Sequence, residues 1–199
     1  MKTGKAGSGL LSKAVDFLET LLVTFFVIVM IFTYCFRVYI VKGESMENTL
    51  VQGDTVIVET MPFFRYSRGD IIIADIDSAH LLDDSGEVYE KACSRKTVVK
   101  RVIASEGQSV DIDFDRGKVF VDGKELTEDY TSGLTHSDEG AFTGKYPVTV
   151  PKGYLFVMGD NRRNSLDSRS YDIGFVSVDS VVGKVLFRAA PAQKIGIVK

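Results

Sequence analysis

Hydrophobic and polar positions divide this chain into two patterns. From Phe17 to Phe36 the sequence reads FLETLLVTFFVIVMIFTYCF, with Glu19 its only charge. About twenty residues at a rise of about 1.5 Å span about 30 Å, the thickness of a bilayer core. A buried helix of a globular domain would keep a polar stripe, and this run has almost none. It predicts a single transmembrane helix over residues 17–37, preceded by a cytoplasmic tail, residues 1–16. The run is long for a cleaved leader. Bulky Tyr34, Phe36, Val38 and Tyr39 stand where cleavage would need small residues, so an uncleaved anchor is expected. Lys2, Lys5 and Lys13 precede the run, and Arg37 and Lys42 follow it. That bias points to an N-terminus inside the cell membrane and to residues 38–199 outside it.

After Val38 the pattern shortens into β-rich runs broken by turns. Strands are expected at Thr55–Thr60, Ile71–Ile76, Thr97–Ala104, Tyr154–Met158 and Val181–Phe187. Val110–Phe114 and Lys118–Val121 alternate around Asp115-Arg116-Gly117, a hairpin signal, and Asp122-Gly123 marks the next turn. Asp77–Arg95 and Thr127–Gly144, rich in small polar and acidic residues, are expected as loops. The predicted class is mainly β: one membrane helix, then an extracytoplasmic antiparallel β-domain, closed or partly closed.

Composition removes some functions. The formal net charge is −3 and the basic residues form no long run, which excludes the concentrated positive face that nucleic acid needs. Cys35 lies in the apolar run and Cys93 in a polar stretch, so no disulfide is expected. His80 and His136 lack the partners of a metal site and are expected at the surface.

Three segments can carry chemistry. Ser45 lies in Gly43-Glu44-Ser45-Met46-Glu47-Asn48-Thr49-Leu50, just past the anchor. Lys100 interrupts the apolar run Val98–Ile103; alternation puts Val98, Lys100 and Val102 on one face and Val99, Arg101 and Ile103 on the other. Lys100 is then either an edge-strand lysine reaching water, or a desolvated amine with a lowered pKa that acts as a general base. The run Gly159–Arg169 (GDNRRNSLDSR) follows an apolar strand and is dense in polar side chains. It is either a solvated turn or a polar support for catalytic groups.

Four segments, in order, resemble the motifs of bacterial type I signal peptidases. Ser45–Leu50 resembles the nucleophile motif Ser-Met-x-Pro-Thr-Leu. Gly53-Asp54-Thr55-Val56 resembles the next box, and Lys100–Ile103 with Gly107 the general-base box. Gly159–Arg169 resembles the Gly-Asp-Asn-Arg-x-x-Ser-x-Asp-Ser-Arg box at every defined position.

The resemblance implies a serine endopeptidase that removes N-terminal signal peptides from exported precursors after small residues (Ala-x-Ala). Ser45 would be the nucleophile and Lys100 the general base, a Ser–Lys variant of the triad that needs no cofactor. Ser165 would hydrogen-bond and orient Lys100, while Asp160, Arg101, Asp167 and Arg169 would form the polar network around the pair. The Ser45 N–H would supply the oxyanion hole, since Gly43 stands where some relatives carry a hydroxyl. Tyr39–Val41 would pair with an extended substrate, and Val41, Met46 and Leu50 would shape a shallow pocket for small side chains.

Three departures stand out, one of them the expected loop Asp77–Arg95, which has no counterpart in the family pattern. Asn48 replaces the motif proline, which predicts a looser turn after the nucleophile, and Gln108 replaces a common Asp. Within about nine residues of the anchor, Ser45 lies at most about 30 Å along the chain from the bilayer, so the lipid surface is an expected partner. Met61–Tyr66, aromatic and Pro-containing, is expected to dip into that interface. Two rival readings are a self-cleaving repressor-type Ser–Lys protease, which would need a DNA-binding module, and a silent tethered domain that only binds exported chains.

Overall fold

The computed structural model describes residues 6–61 and 65–198. Pro62, Phe63 and Phe64, the centre of the expected interfacial patch, lie outside the described residues, as do Lys2 and Lys5. The chain divides into two compact units, residues 1–37 and 38–199.

The first unit is α1 (Ala6–Cys35). Its stretch Leu11–Cys35, 25 residues, is long and apolar enough to cross a membrane. At about 1.5 Å per residue it reaches about 37 Å. Large apolar side chains point outward all round it, among them Leu18, Leu22, Phe25 and Phe26. The helix starts before the expected residue 17 and stops at Cys35; Phe36 and Arg37 already belong to a strand.

The second unit is antiparallel β. Its strands are β1 (Phe36–Ile40), β2 (Thr55–Glu59), β3 (Ile71–Leu82), β4 (Val88–Ser105), β5 (Ser109–Asp113), β6 (Lys118–Val121), β7 (Lys124–Glu125), β8 (Val148–Thr149), β9 (Tyr154–Met158), β10 (Val176–Ser177), β11 (Val181–Ala190) and β12 (Gly196–Ile197). The large sheet runs β1-β2-β11-β3-β4-β9-β10, with β12 on β11; the small sheet runs β7-β6-β5-β8. Alternation explains the strands: in β2, Val56 and Val58 are buried, while Thr55, Ile57 and Glu59 are half-buried. The β5–β6 hairpin forms where the Asp115-Arg116-Gly117 signal put it, and β9 spans the expected Tyr154–Met158.

Two expectations fail. Asp77–Arg95 is not a loop: β3 and β4 continue as a long hairpin, pairing Ser78 with Ala92 and Leu82 with Val88, and its turn is only Asp83–Glu87. No period of two marks this ribbon: Ala79, His80 and Leu81 are buried in succession on β3, and exposed positions such as Glu90 and Ala92 fall on β4. His80, expected at the surface, is buried on this ribbon, its ring 5.0 Å from that of Tyr154. His136 is exposed, and Thr127–Gly144 is irregular as expected.

Three apolar clusters hold the domain. One joins the small sheet to β9 through Val110, Val121, Phe142 and Phe156. A second, Val41, Met46, Leu50, Val56, Val58, Ile73 and Val185, underlies the segment that carries Ser45. The third, with Ile72, Val102, Val157 and Ile173, backs the strand that carries Lys100.

Candidate active site

Ser45 sits in the turn between β1 and β2. The two flanks of that turn are tied together: Val41 N–H donates to the Asp54 carbonyl at 2.8 Å and Gly53 N–H to the Val41 carbonyl at 2.9 Å. Leu50 and Met46, at 0% and 1% exposure, anchor its floor. Lys100 lies on β4 opposite Ile72 of β3. From Arg101 onward β4 is flanked on its other side by β9, and Lys100, just before that pairing begins, is buried rather than reaching water. Residues Lys100 to Ala104 are all buried, so neither face of this stretch is solvated.

The two side chains meet across 55 residues of sequence. Lys100 Nζ donates to Ser45 Oγ at 2.6 Å and to the Val99 carbonyl at 3.0 Å. Lys100 is 4% exposed. Burial, its largest influence, pushes the amine down; Asp167 opposes, Arg169 helps, and the balance is a pKa of about 8. Desolvation penalises the charged form of any amine in this way. The pair opens on a cleft of about 570 Å³ lined by Tyr39 to Ser45 on one side and Thr97 to Lys100 on the other, with Asn164 and Leu166 at one end.

Beneath the pair lies a layer of buried charge. Arg101 grips Asp160 through two bonds, Nε to Oδ1 at 2.8 Å and Nη2 to Oδ2 at 2.7 Å. Arg169 grips Asp167 in the same way, both bonds at 2.9 Å. Burial works against the charge on Asp167, but Arg169 and the Gly159 N–H hold that carboxyl below its ordinary range. Arg162 binds Glu128 through both Nη atoms and also donates to Thr135. Arg101 further stacks over the Tyr130 ring at 4.0 Å.

The 159–169 segment also holds the Ser45 backbone. Asn161 N–H donates to the Ser45 carbonyl at 3.0 Å, and Asn164 Nδ2 to Glu44 Oε2 at 3.1 Å. Gly159 is required here by close approach: a Cβ would collide with the Ser45 carbonyl oxygen and with Ser165 Oγ. Among the described residues Ser45 N–H donates to no backbone carbonyl.

Most expected site residues converge, with corrections. The Ser165–Lys100 hydrogen bond does not form. Ser165 Oγ is buried and completes no hydrogen bond of good geometry, although it lies close enough to Asp167 to help keep that carboxyl ionised. Of the expected pocket residues, Val41 lines the cleft, whereas Met46 and Leu50 pack beneath it in the core. Asn48 adopts φ 85°, a conformation closed to proline, so this turn differs in shape from one that proline would make. Gln108 binds Asp122 and Ser105 locally, away from the cleft.

Sequence reasoning gave no role to Thr49, Glu128, Tyr130, Asn161, Arg162 or Asn164. Arg162 is 2% exposed and Glu128 is its partner 34 residues away, a pairing with no local signal. Among the described residues, no group of three or more His, Cys, Asp or Glu side chains is placed to hold a metal ion.

The profile of the family described as "Signal peptidase, peptidase S26" matches residues 14–190. Signal peptidase I P of Bacillus subtilis subsp. natto is 33% identical over 181 residues, covering 86% of each chain. Signal peptidase I T of Bacillus subtilis (strain 168) is 36% identical over 160 residues, covering 77% of this chain and 74% of its own. A probable signal peptidase I-1 of Synechocystis sp. is 36% identical over 158 residues, covering 78% and 72%. Since the profile spans nearly the whole chain and these relatives cover more than two thirds of it, the chain belongs to the peptidase S26 family of signal peptidases and is a serine peptidase.

Proposed function

We propose that this protein is a membrane-anchored endopeptidase that removes N-terminal signal peptides from exported precursors, with Ser45 as nucleophile and Lys100 as general base. The observation that carries the reading is the 2.6 Å approach of a buried lysine amine to a serine hydroxyl at the floor of an open cleft.

The chemistry follows from the amine's burial. With a pKa of about 8, about one Lys100 in ten is neutral at pH 7; at an ordinary lysine value the share is about one in 2,500. Neutral Lys100 takes the Ser45 proton as Oγ attacks the scissile carbonyl, then gives it to the leaving amine. A water molecule, deprotonated by the same amine, releases the acyl group. The Ser45 N–H, with no backbone acceptor among the described residues, is the donor available to the developing oxyanion.

An extended substrate would lie in the cleft between Tyr39–Val41, on the free edge of β1, and Thr97–Val99, where β4 has no β9 partner. Paired backbones would hold it by strand addition, with side-chain alternation reading every second residue. A shallow wall at Val41, backed by Met46 and Leu50, favours small side chains such as Ala at the cleaved position and two before it. The helix would hold the enzyme in the cell membrane, residues 1–16 cytoplasmic and 38–199 outside, so its partners are exported precursors and the lipid bilayer. Dispersed charge argues against nucleic acid.

The test is cleavage of an Ala-x-Ala precursor by the detergent-solubilised full chain. Wild type should cut after the second Ala, and Ser45→Ala and Lys100→Ala should both lose cleavage. A folded wild type inert on several such precursors would overturn the reading; activity in Lys100→Ala alone would reassign the base.

A further inference from the structure

Asn48 has a positive φ of 85°, three residues after Ser45. Asn enters this left-handed region at modest cost, whereas a proline ring fixes φ near about −65°. The conformation has a visible consequence. Thr49 and Leu50 N–H groups both donate to the Met46 carbonyl, at 3.0 and 2.8 Å, which closes the turn. The chain then swings so that Leu50 enters the core while the Thr49 hydroxyl points into the buried charge layer.

Thr49 Oγ1 donates to Asp160 Oδ2 and accepts from Arg101 Nη2 at 3.3 Å. Its carbonyl accepts from Arg188. Arg101 is the neighbour of Lys100 on β4, and Asp160 lies next to Asn161, whose N–H holds the Ser45 carbonyl. Thr49 is therefore a point at which the nucleophile's turn is bonded to the strand that carries the amine.

We propose that Asn48 and Thr49 are positioning residues: the left-handed turn at Asn48 delivers the Thr49 hydroxyl to the Arg101–Asp160 pair and so sets Ser45 Oγ against Lys100 Nζ. This rests on the Ser45–Lys100 reading above. It has an unexpected corollary. Proline, the residue that the resembling motif carries at this place, disables this chain, because it forces position 48 out of the left-handed region and withdraws Thr49.

The test uses the full chain in detergent, with kcat and KM for an Ala-x-Ala precursor and a thermal melt for each variant. Asn48→Gly should keep kcat within about threefold, and Asn48→Pro should melt lower and lose about 100-fold in kcat, the scale of an ångström-sized misplacement. Thr49→Val, which keeps the shape and removes the hydroxyl, should lower kcat about tenfold at unchanged KM, and Thr49→Ser should recover most of it. A Thr49→Val enzyme with wild-type kcat overturns the proposal. So does an Asn48→Pro enzyme that melts and turns over like wild type. Activity surviving in Lys100→Ala would instead sink the dyad. Should wild type not cut the precursor, the rate of Ser45 labelling by a fluorophosphonate serves as readout, with the same expected losses and the same overturning results.

Discussion

The small sheet and the layer under Ser45 and Lys100 are buried to the same depth by opposite means. Around the small sheet the interior is hydrocarbon: Val110, Val121 and Phe142 pack with Phe156 and Phe175, the Phe142 and Phe175 rings 4.6 Å apart. Under Ser45 and Lys100 the interior is ionic: Arg101, Asp160, Asp167 and Arg169 are all 2% exposed or less. Apolar burial stabilises directly, by about 25 cal/mol per Å². A buried ion pair roughly offsets its own desolvation, and well-packed apolar residues often do as well or better. The ionic layer is therefore poorly explained as a source of stability. Fixed direction explains it better: each bidentate pair locks a guanidinium in one plane, and these planes hold the Lys100 strand, the Ser45 turn and the 159–169 segment in register.

The sharpest test of that contrast is Lys100→Met. It should abolish cleavage, by about 10²–10⁴-fold for loss of the proposed general base, while melting no lower than wild type, because it removes a buried amine. A large drop in melting temperature would show that Lys100 stabilises the fold.

Next come two substitutions of similar cost. Asp167→Asn leaves Arg169 buried without its carboxylate and should lose about 3–5 kcal/mol in denaturant unfolding. Phe142→Ala opens a cavity in the small-sheet cluster and should lose about the same. They separate in turnover: Asp167→Asn should lose kcat per folded molecule and Phe142→Ala should keep it. Equal kcat losses would erase the distinction between the two regions.

The pH dependence is a milder effect. If Lys100 is the base, as proposed, activity needs the neutral amine, so kcat/KM should fall about tenfold per unit below about pH 8 and level off above it. Stability has a related sign. Folding lowers the Lys100 pKa from 10.5 to about 8, so the folded state favours the neutral form. The resulting penalty, about 3 kcal/mol, is full below about pH 8 and fades as pH rises towards about 10.5. The stability advantage of Lys100→Met over wild type should shrink across that window; a constant difference would mean an ordinary lysine. Smallest of all, Lys118→Ala removes an exposed pair with Glu125 on the small sheet and should change stability by less than about 1 kcal/mol, with cleavage untouched.

Much of the site was legible in the chain because its parts are local. The nucleophile and base motifs and the Gly159–Arg169 box are short runs, and strand alternation drew attention to Lys100 as a charge in an apolar stretch. What stayed hidden was pairing at a distance. Glu128 sits in an irregular segment and becomes meaningful only when Arg162 folds onto it. The β3–β4 ribbon carries no alternating signal, because Ala79, His80 and Leu81 are buried in succession by packing from elsewhere in the fold. At Asn48 the sequence shows a missing proline, whereas the structure shows a different turn.

By itself the sequence determined the apolar helix, the β5–β6 hairpin, most strands of the domain and the family motifs, since each depends on periodicity or turn chemistry within a few neighbouring residues. Only the tertiary structure decided that Ser45 and Lys100 meet, that Lys100 is dry enough for its amine to reach a pKa of about 8, and that Thr49 bonds to Asp160 and Arg101. Those outcomes depend on desolvation and on contacts between residues 52 to 111 positions apart, and such quantities exist only once the sheets have packed.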